Sequence, residues 1–129
     1  MDTRNLWNWV KKLLSTGDSR ERRAVLLGLE PLLQSVEQLE RDILFPVLHR
    51  LVGFSEWMQE ACMHHRRFRE LIERARGTLD HERIMDITDE LGRQIAAYID
   101  GTERILEPRL VQALKPLEYC ELRQRLRAR

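Results

Sequence analysis

The sequence predicts an all-α protein, folded as an up-down antiparallel four-helix bundle with a short first helix and a short helical tail at the C-terminus. Apolar residues recur at steps of three and four through most of the 129 residues, which is the period of an amphipathic helix. Aromatic residues make up only 6%, which disfavours a strand-rich fold. The length suits a single domain, residues 1–129.

The first two helices are predicted from their apolar stripes. The first stripe ends at STGDS, residues 15–19, where Asp18 or Ser19 is expected to cap the next helix. A long second stripe then runs as far as ILFPVL, residues 43–48. This stripe crosses Pro31, which predicts a kink or a short break in the second helix at that residue.

The third and fourth helices follow two further interruptions of the pattern. VGFSE, residues 52–56, is predicted to be a loop in which Ser55 caps the third helix. RGTLD, residues 76–80, separates the third helix from the fourth and supplies Asp80 as the next N-cap. Pro116 opens the helical tail. Connections this short place consecutive helices antiparallel.

A proline signature occurs twice in the chain. ILFPVL at residues 43–48 returns 62 residues later as ILEPRL at residues 105–110, with four of six positions identical. Proline is disfavoured inside a helix because it lacks an N–H donor and its ring crowds the preceding turn. The repetition therefore predicts matching ends for the second and fourth helices of an internally repeated bundle.

Composition excludes several classes of protein. A net charge of +1, from 22 basic and 21 acidic residues, argues against a general nucleic-acid binder. The longest apolar runs are too short to span a membrane. Cys62 and Cys120 have no metal-site spacing, and we expect them to be buried, reduced thiols in a cytoplasmic protein.

Three polar residues fall on apolar stripes. Glu40, His65 and Glu103 each lie three or four residues from core positions of a different helix. Carboxylates and imidazoles that project from facing helices are how bundles bind iron or manganese. The residues alone leave a second interpretation open, in which the glutamates lie at the edge of the core or pair with arginines such as Arg69.

Three segments resemble the hemerythrin-like, or HHE cation-binding, family. They are LERDILFPVL at residues 39–48, HHRRFREL at residues 64–71 and YIDGTERILEPRL at residues 98–110. The resemblance covers about residues 19–113 and implies a four-helix bundle with histidine and carboxylate ligands on its helices.

The match to the family's ligands is partial. Glu40 and Glu103 fall on the family's carboxylate positions, and His65 falls on a third-helix histidine. Three other ligand positions hold Val36, Arg69 and Tyr98 in this sequence. The resemblance therefore implies a degraded metal site, in which Glu40, His65 and Glu103 are the only remaining candidates. Tyr98 is interpreted as a bystander hydroxyl.

An arginine in place of a ligand suggests what replaced the metal. Arg69 lies one turn after His65, and we expect its guanidinium to point inward and neutralise the glutamates through bidentate hydrogen bonds. Its loss would then leave a buried charge unpaired, at a cost of about 3 kcal/mol or more.

The sequence thus predicts a non-enzymatic interaction or regulatory module that has no cofactor. The alternative is an iron-binding sensor or iron-handling protein that uses the remaining ligands. The expected partner is another protein or a second copy of the chain. Trp7 and Trp9 are two residues apart, so a helix cannot bury both on one stripe. They either pack across the open end of the bundle or form the partner contact.

Overall fold

A computed structural model describes residues 3–127, which form helices joined by short loops and contain no strand. The prediction of an all-α fold is therefore confirmed. The α-helices are α1 (Thr3–Leu14), α2 (Ser19–Leu39), α3 (Phe45–His49), α4 (Ser55–Arg76), α5 (His81–Gly101), α6 (Glu107–Ala113) and α7 (Pro116–Arg127). Two five-residue π-helical segments, π1 (Glu40–Leu44) and π2 (Thr102–Leu106), continue α2 into α3 and α5 into α6.

The long helices pack around one apolar core. Helix α1 lies against α2 and α5, and α4 lies against the same two helices. The predicted stripes supply the core, because the side chains at three- and four-residue steps face inward. The most deeply buried positions include Leu13, Leu29, Leu44, Leu48, Leu91 and Ile95. Helix α7 covers one end of this core with Leu122 and Leu126.

The helix starts agree with the predicted caps at two of three positions. Asp18 accepts a hydrogen bond from the backbone N–H of Arg20, and Asp80 accepts one from Arg83. The cap predicted at Ser55 is wrong, because Ser55 is the first residue of α4 and Phe54 precedes it. Phe54 is buried, so packing of its ring fixes this helix start where the sequence pattern favours a hydroxyl cap.

Pro31 lies inside a continuous helix, whereas Pro46 and Pro108 each follow an irregular turn. Helix α2 runs unbroken through Pro31, so of the two outcomes predicted there, a kink or a short break, the break is wrong. The interruptions lie instead at π1 and π2, just before Pro46 and Pro108. A π segment adds one residue to a turn, so its hydrogen bonds span five residues. The Phe45 N–H bonds to the Glu40 carbonyl, and the Glu107 N–H bonds to the Thr102 carbonyl.

The sequence repeat is therefore also a structural repeat. Each π segment makes its wider backbone hydrogen bonds just before a proline, which has no N–H group to continue the α-helical hydrogen bonds. The two π segments begin 62 residues apart, at Glu40 and at Thr102, which is the offset of the sequence repeat.

One buried arginine was not singled out by the sequence pattern. Arg22 is 5% exposed, and its guanidinium bonds to the Asp89 carboxylate at 2.6 Å and to the Thr88 hydroxyl at 2.9 Å. Its Nε also donates to the backbone carbonyl of Thr16 at 2.9 Å. These bonds tie the loop before α2 to α5.

Two further predictions concern the surface. Cys62 and Cys120 are free but exposed, so the expectation of buried thiols is wrong. Both lie just outside the apolar stripes of their helices, where the helical period turns them toward solvent. No helix among residues 3–127 is long and apolar enough to cross a membrane.

Glycines let α1 approach its neighbours. A Cβ atom added at Gly28 would come closer than 3.0 Å to the Trp9 ring, and one added at Gly92 would lie 3.0 Å from the Leu14 methyls. Trp9 therefore packs within the chain, on the backbone of α2. Trp7, by contrast, is 42% exposed.

We expect Gly28→Ala to lower the free energy of unfolding by about 1–3 kcal/mol, because the new methyl displaces the Trp9 ring. Gly101→Ala is the matched control, since it is also helical and nothing lies within 4 Å of its added Cβ. That control should raise stability by about 0.5–1 kcal/mol. Urea unfolding followed by tryptophan fluorescence measures both. Equal effects of the two substitutions would contradict this packing.

Candidate buried polar site

A hydrogen-bonded network of three side chains lies within the core. Glu40, the first residue of π1, is only 1% exposed. One of its carboxylate oxygens lies 2.8 Å from Nε2 of His65 on α4. The other accepts a hydrogen bond from the Tyr98 hydroxyl on α5. The carboxylate is thus enclosed by two polar groups from two other helices.

Aromatic rings pack against each other around the two groups that bond to this carboxylate. The His65 ring lies 5.1 Å from the Tyr98 ring and 5.5 Å from the Phe68 ring, in edge-to-face orientations. The Phe68 and Tyr98 rings are 6.0 Å apart and also meet edge to face. Such pairs contribute about 0.5–1.5 kcal/mol each beyond their buried area. The ring geometry therefore fixes the orientation of both donors.

The environment keeps the Tyr98 hydroxyl protonated. Burial raises the pKa of Tyr98 well above its ordinary value of 10.0, and the nearby Glu40 carboxylate raises it further through its charge and hydrogen bond. The phenol therefore remains a hydrogen-bond donor under ordinary conditions, and Glu40 remains its acceptor.

A second histidine lies at the edge of the network. His64 is half-buried, and burial is the main cause that lowers its pKa below 6.5. Its ring lies 6.1 Å from each of the Phe68 and Tyr98 rings. The neutral imidazole is therefore favoured where it packs against the aromatic group.

Thr102 occupies the position in the second repeat that Glu40 occupies in the first. It is 1% exposed, and its hydroxyl donates a 2.9 Å hydrogen bond to the backbone carbonyl of Tyr98. The prediction that Glu103 lies on the inner face is wrong. Glu103 is exposed and accepts a 2.8 Å hydrogen bond from Thr3. Thr102 lies four residues after Tyr98 and four before Leu106, so these three buried residues share the inner face, and Glu103 is turned about 100° away from Thr102 toward solvent.

Arg69 also lies elsewhere than expected. Its guanidinium bonds to both carboxylate oxygens of Glu37, at 2.6 and 2.5 Å, and its side chain is 56% exposed. The hypothesis that Arg69 neutralises the inner glutamates is therefore wrong. Arg69 lies one turn after His65, at the edge of the contact between α2 and α4, and Glu37 is the acceptor within its reach. Ion pairs as exposed as this one contribute at most about 1 kcal/mol.

The donor set fits a metal ion poorly. Glu40 and His65 are the two candidate ligands that the fold brings together, and each already bonds within the network. Val36 is a buried apolar residue, and Glu103 faces away from the core. Among residues 3–127, no group of three or more His, Cys, Asp or Glu side chains is placed to hold a metal ion.

Sequence reasoning located two of the three network residues as inward-facing polar groups and misjudged Tyr98. The ring of Tyr98 fits an apolar stripe, so the pattern did not mark its hydroxyl as the donor to Glu40. The 62-residue offset was the available signal for Thr102, since it aligns Thr102 with Glu40. The chain matches no family model, no curated protein and no solved structure.

We expect Tyr98→Phe to cost about 2 kcal/mol, because it leaves a buried carboxylate oxygen without its donor. The same substitution made after Glu40→Leu should be neutral or stabilising, since the phenol has then already lost its acceptor. A double-mutant cycle from urea unfolding gives the coupling energy. Tyr119→Phe, a half-buried tyrosine away from the network, is the control and should change stability by less than about 0.5 kcal/mol. Equal costs in both Glu40 backgrounds would contradict the network.

The raised pKa of Tyr98 predicts a loss of stability at alkaline pH. Above pH 10.0 the unfolded chain releases the phenol proton while the folded chain retains it, so the free energy of unfolding falls as the pH rises. This contribution is complete below pH 10.0 and should be absent in Tyr98→Phe. Comparison of the two proteins by urea unfolding between neutral and alkaline pH measures it. Parallel curves for the two proteins would exclude the shift.

Proposed function

We propose that this protein is a non-enzymatic interaction or regulatory module. We further propose that it is an up-down four-helix bundle of hemerythrin-like descent, in which a network of hydrogen bonds has replaced the metal centre. The observation that carries the proposal is the state of Glu40, whose two oxygens already bond to His65 and Tyr98. A carboxylate satisfied in this way needs no cation to be buried.

Burial of the polar groups supports a structural role for them. Glu40 and Tyr98 are 1% and 3% exposed, so the carboxylate and the phenol do not reach a substrate at the surface. The network joins π1, α4 and α5 and thereby fixes how these elements pack. Polar groups fully satisfied inside a core add specificity to its packing.

The partner contact that we propose is Trp7 on the outer face of α1. Trp7 is 42% exposed, while Trp9 is held by the close approach at Gly28. Tryptophan is enriched at protein interfaces because it buries a large rigid surface. We propose that a second copy of the chain covers Trp7, so that the protein is a homodimer in the cytoplasm.

The alternative function is binding of iron for sensing or iron handling. One observation favours it, the 2.8 Å approach of the His65 imidazole to the Glu40 carboxylate from a different helix. A metal bound there would have to replace hydrogen bonds that the two residues now make with each other and with Tyr98.

Native mass spectrometry of protein purified from iron-supplemented cells reads metal content and subunit number together. We expect a metal-free dimer at high micromolar concentration. Trp7→Ala should give a monomer, because the contact loses its largest apolar side chain. Leu117→Ala is the matched control, since Leu117 is 71% exposed but lies on α7, and this variant should remain dimeric.

A specific result of these experiments would contradict each of the proposals. Stoichiometric iron that is lost in Glu40→Ala would overturn the non-metal proposal in favour of the alternative. A monomer in the unaltered protein would overturn the homodimer assignment. A dimer that survives Trp7→Ala would move the contact away from α1.

A further inference from the structure

A groove runs between α2 and α4 and reaches the edge of the buried network. Its deepest residues are Leu33, His65, Phe68 and Ile72, each no more than 5% exposed. The cavity has a volume of about 160 Å³. A cavity of about 150 Å³ with apolar walls is large enough to hold one benzene ring. The groove is therefore the size of a single six-membered ring.

The rim of the groove presents charges that are already paired. Arg69 bonds to Glu37, and Arg76 bonds to Glu30, so two ion pairs bridge α2 and α4 across the opening. Arg76 also lies 3.7 Å from Glu73. Since each of these charges has an opposite partner, the rim favours a neutral ligand over an ionic one.

The imidazole of His65 offers one polar atom to the groove. Its Nε2 faces the Glu40 carboxylate, an acceptor that favours the tautomer with the proton on that nitrogen, and in that tautomer Nδ1 is an acceptor. Nδ1 makes no hydrogen bond to another group within residues 3–127. Every fully buried side-chain nitrogen or oxygen among these residues does have a hydrogen-bond partner. Nδ1 must therefore retain contact with solvent, and the groove that His65 lines provides the route.

We propose that this groove binds a neutral monocyclic aromatic alcohol. The ring of the ligand packs on Leu33, Phe68 and Ile72, and its hydroxyl donates a hydrogen bond to Nδ1 of His65. Glu40 and Tyr98 take part as positioning residues, because they hold the imidazole in the tautomer that accepts this bond. The proposal stands independently of the partner contact at Trp7.

Phenol is the probe, and its titration is followed in a ¹H–¹⁵N amide spectrum. We expect saturable shifts confined to the residues that line the groove, with an affinity in the range of small fragments. Toluene has nearly the same size but no donor, and it would cover Nδ1 without replacing its water. Toluene should therefore bind about tenfold more weakly than phenol.

A matched pair of exposed glutamines on α2 tests the location. Gln34 lines the groove, whereas Gln38 lies one turn further along, bonded to Asp42. Gln34→Trp should abolish saturable phenol binding by covering the opening, and Gln38→Trp should leave it unchanged. The absence of saturable shifts in the unaltered protein, toluene binding as tight as phenol, or phenol binding unaffected by Gln34→Trp would each overturn the proposal.

Discussion

The packing of this protein depends on how the carboxylate of Glu40 is accommodated. Transfer of an isolated carboxylate into an apolar core is too costly to be tolerated, so such a group must find hydrogen-bond donors or a cation. Here it finds an imidazole on α4 and a phenol on α5. Three segments that are distant in sequence are therefore held in one arrangement by one side chain.

The prolines determine where that carboxylate points. Pro46 cannot continue the ordinary hydrogen-bond ladder, and the helix widens into a π turn whose first residue is Glu40. Pro108 has the same effect in the second sequence repeat, where the π turn begins at Thr102. The first repeat thus places a carboxylate in the core, and the second repeat places a neutral hydroxyl there. Thr102 satisfies its own hydroxyl on the Tyr98 carbonyl, so this position needs no partner from another helix.

Local pattern was enough to predict much of this architecture. Periodicity indicated the helices, and side-chain chemistry indicated the caps at Asp18 and Asp80. Glu40 and His65 were recognised as inward-facing because Glu40 continues the apolar stripe of α2 at the first residue of π1 and His65 lies on the stripe of α4.

The failures have physical causes. The assignment of Glu103 failed because Thr102 and Glu103 both lie three or four residues from Ile99 and Leu106, and periodicity alone does not choose between them. The assignment of Arg69 failed, and Arg22 was not singled out, because a long side chain can reach several acceptors and only the packed helices decide which one lies nearby. The resemblance of three segments to a metal-binding family directed attention to the helices that carry the network, but it did not indicate that Tyr98 bonds to Glu40.

The most direct test of this account is the proton on the His65 imidazole, observed by ¹⁵N-edited NMR of the metal-free protein at neutral pH. The account predicts a slowly exchanging proton on Nε2, close in space to the Tyr98 ring, because that proton lies between the imidazole and a buried carboxylate. A His65 ring that carries its proton on Nδ1, or that exchanges rapidly with solvent at Nε2, would contradict the network at the centre of this structure.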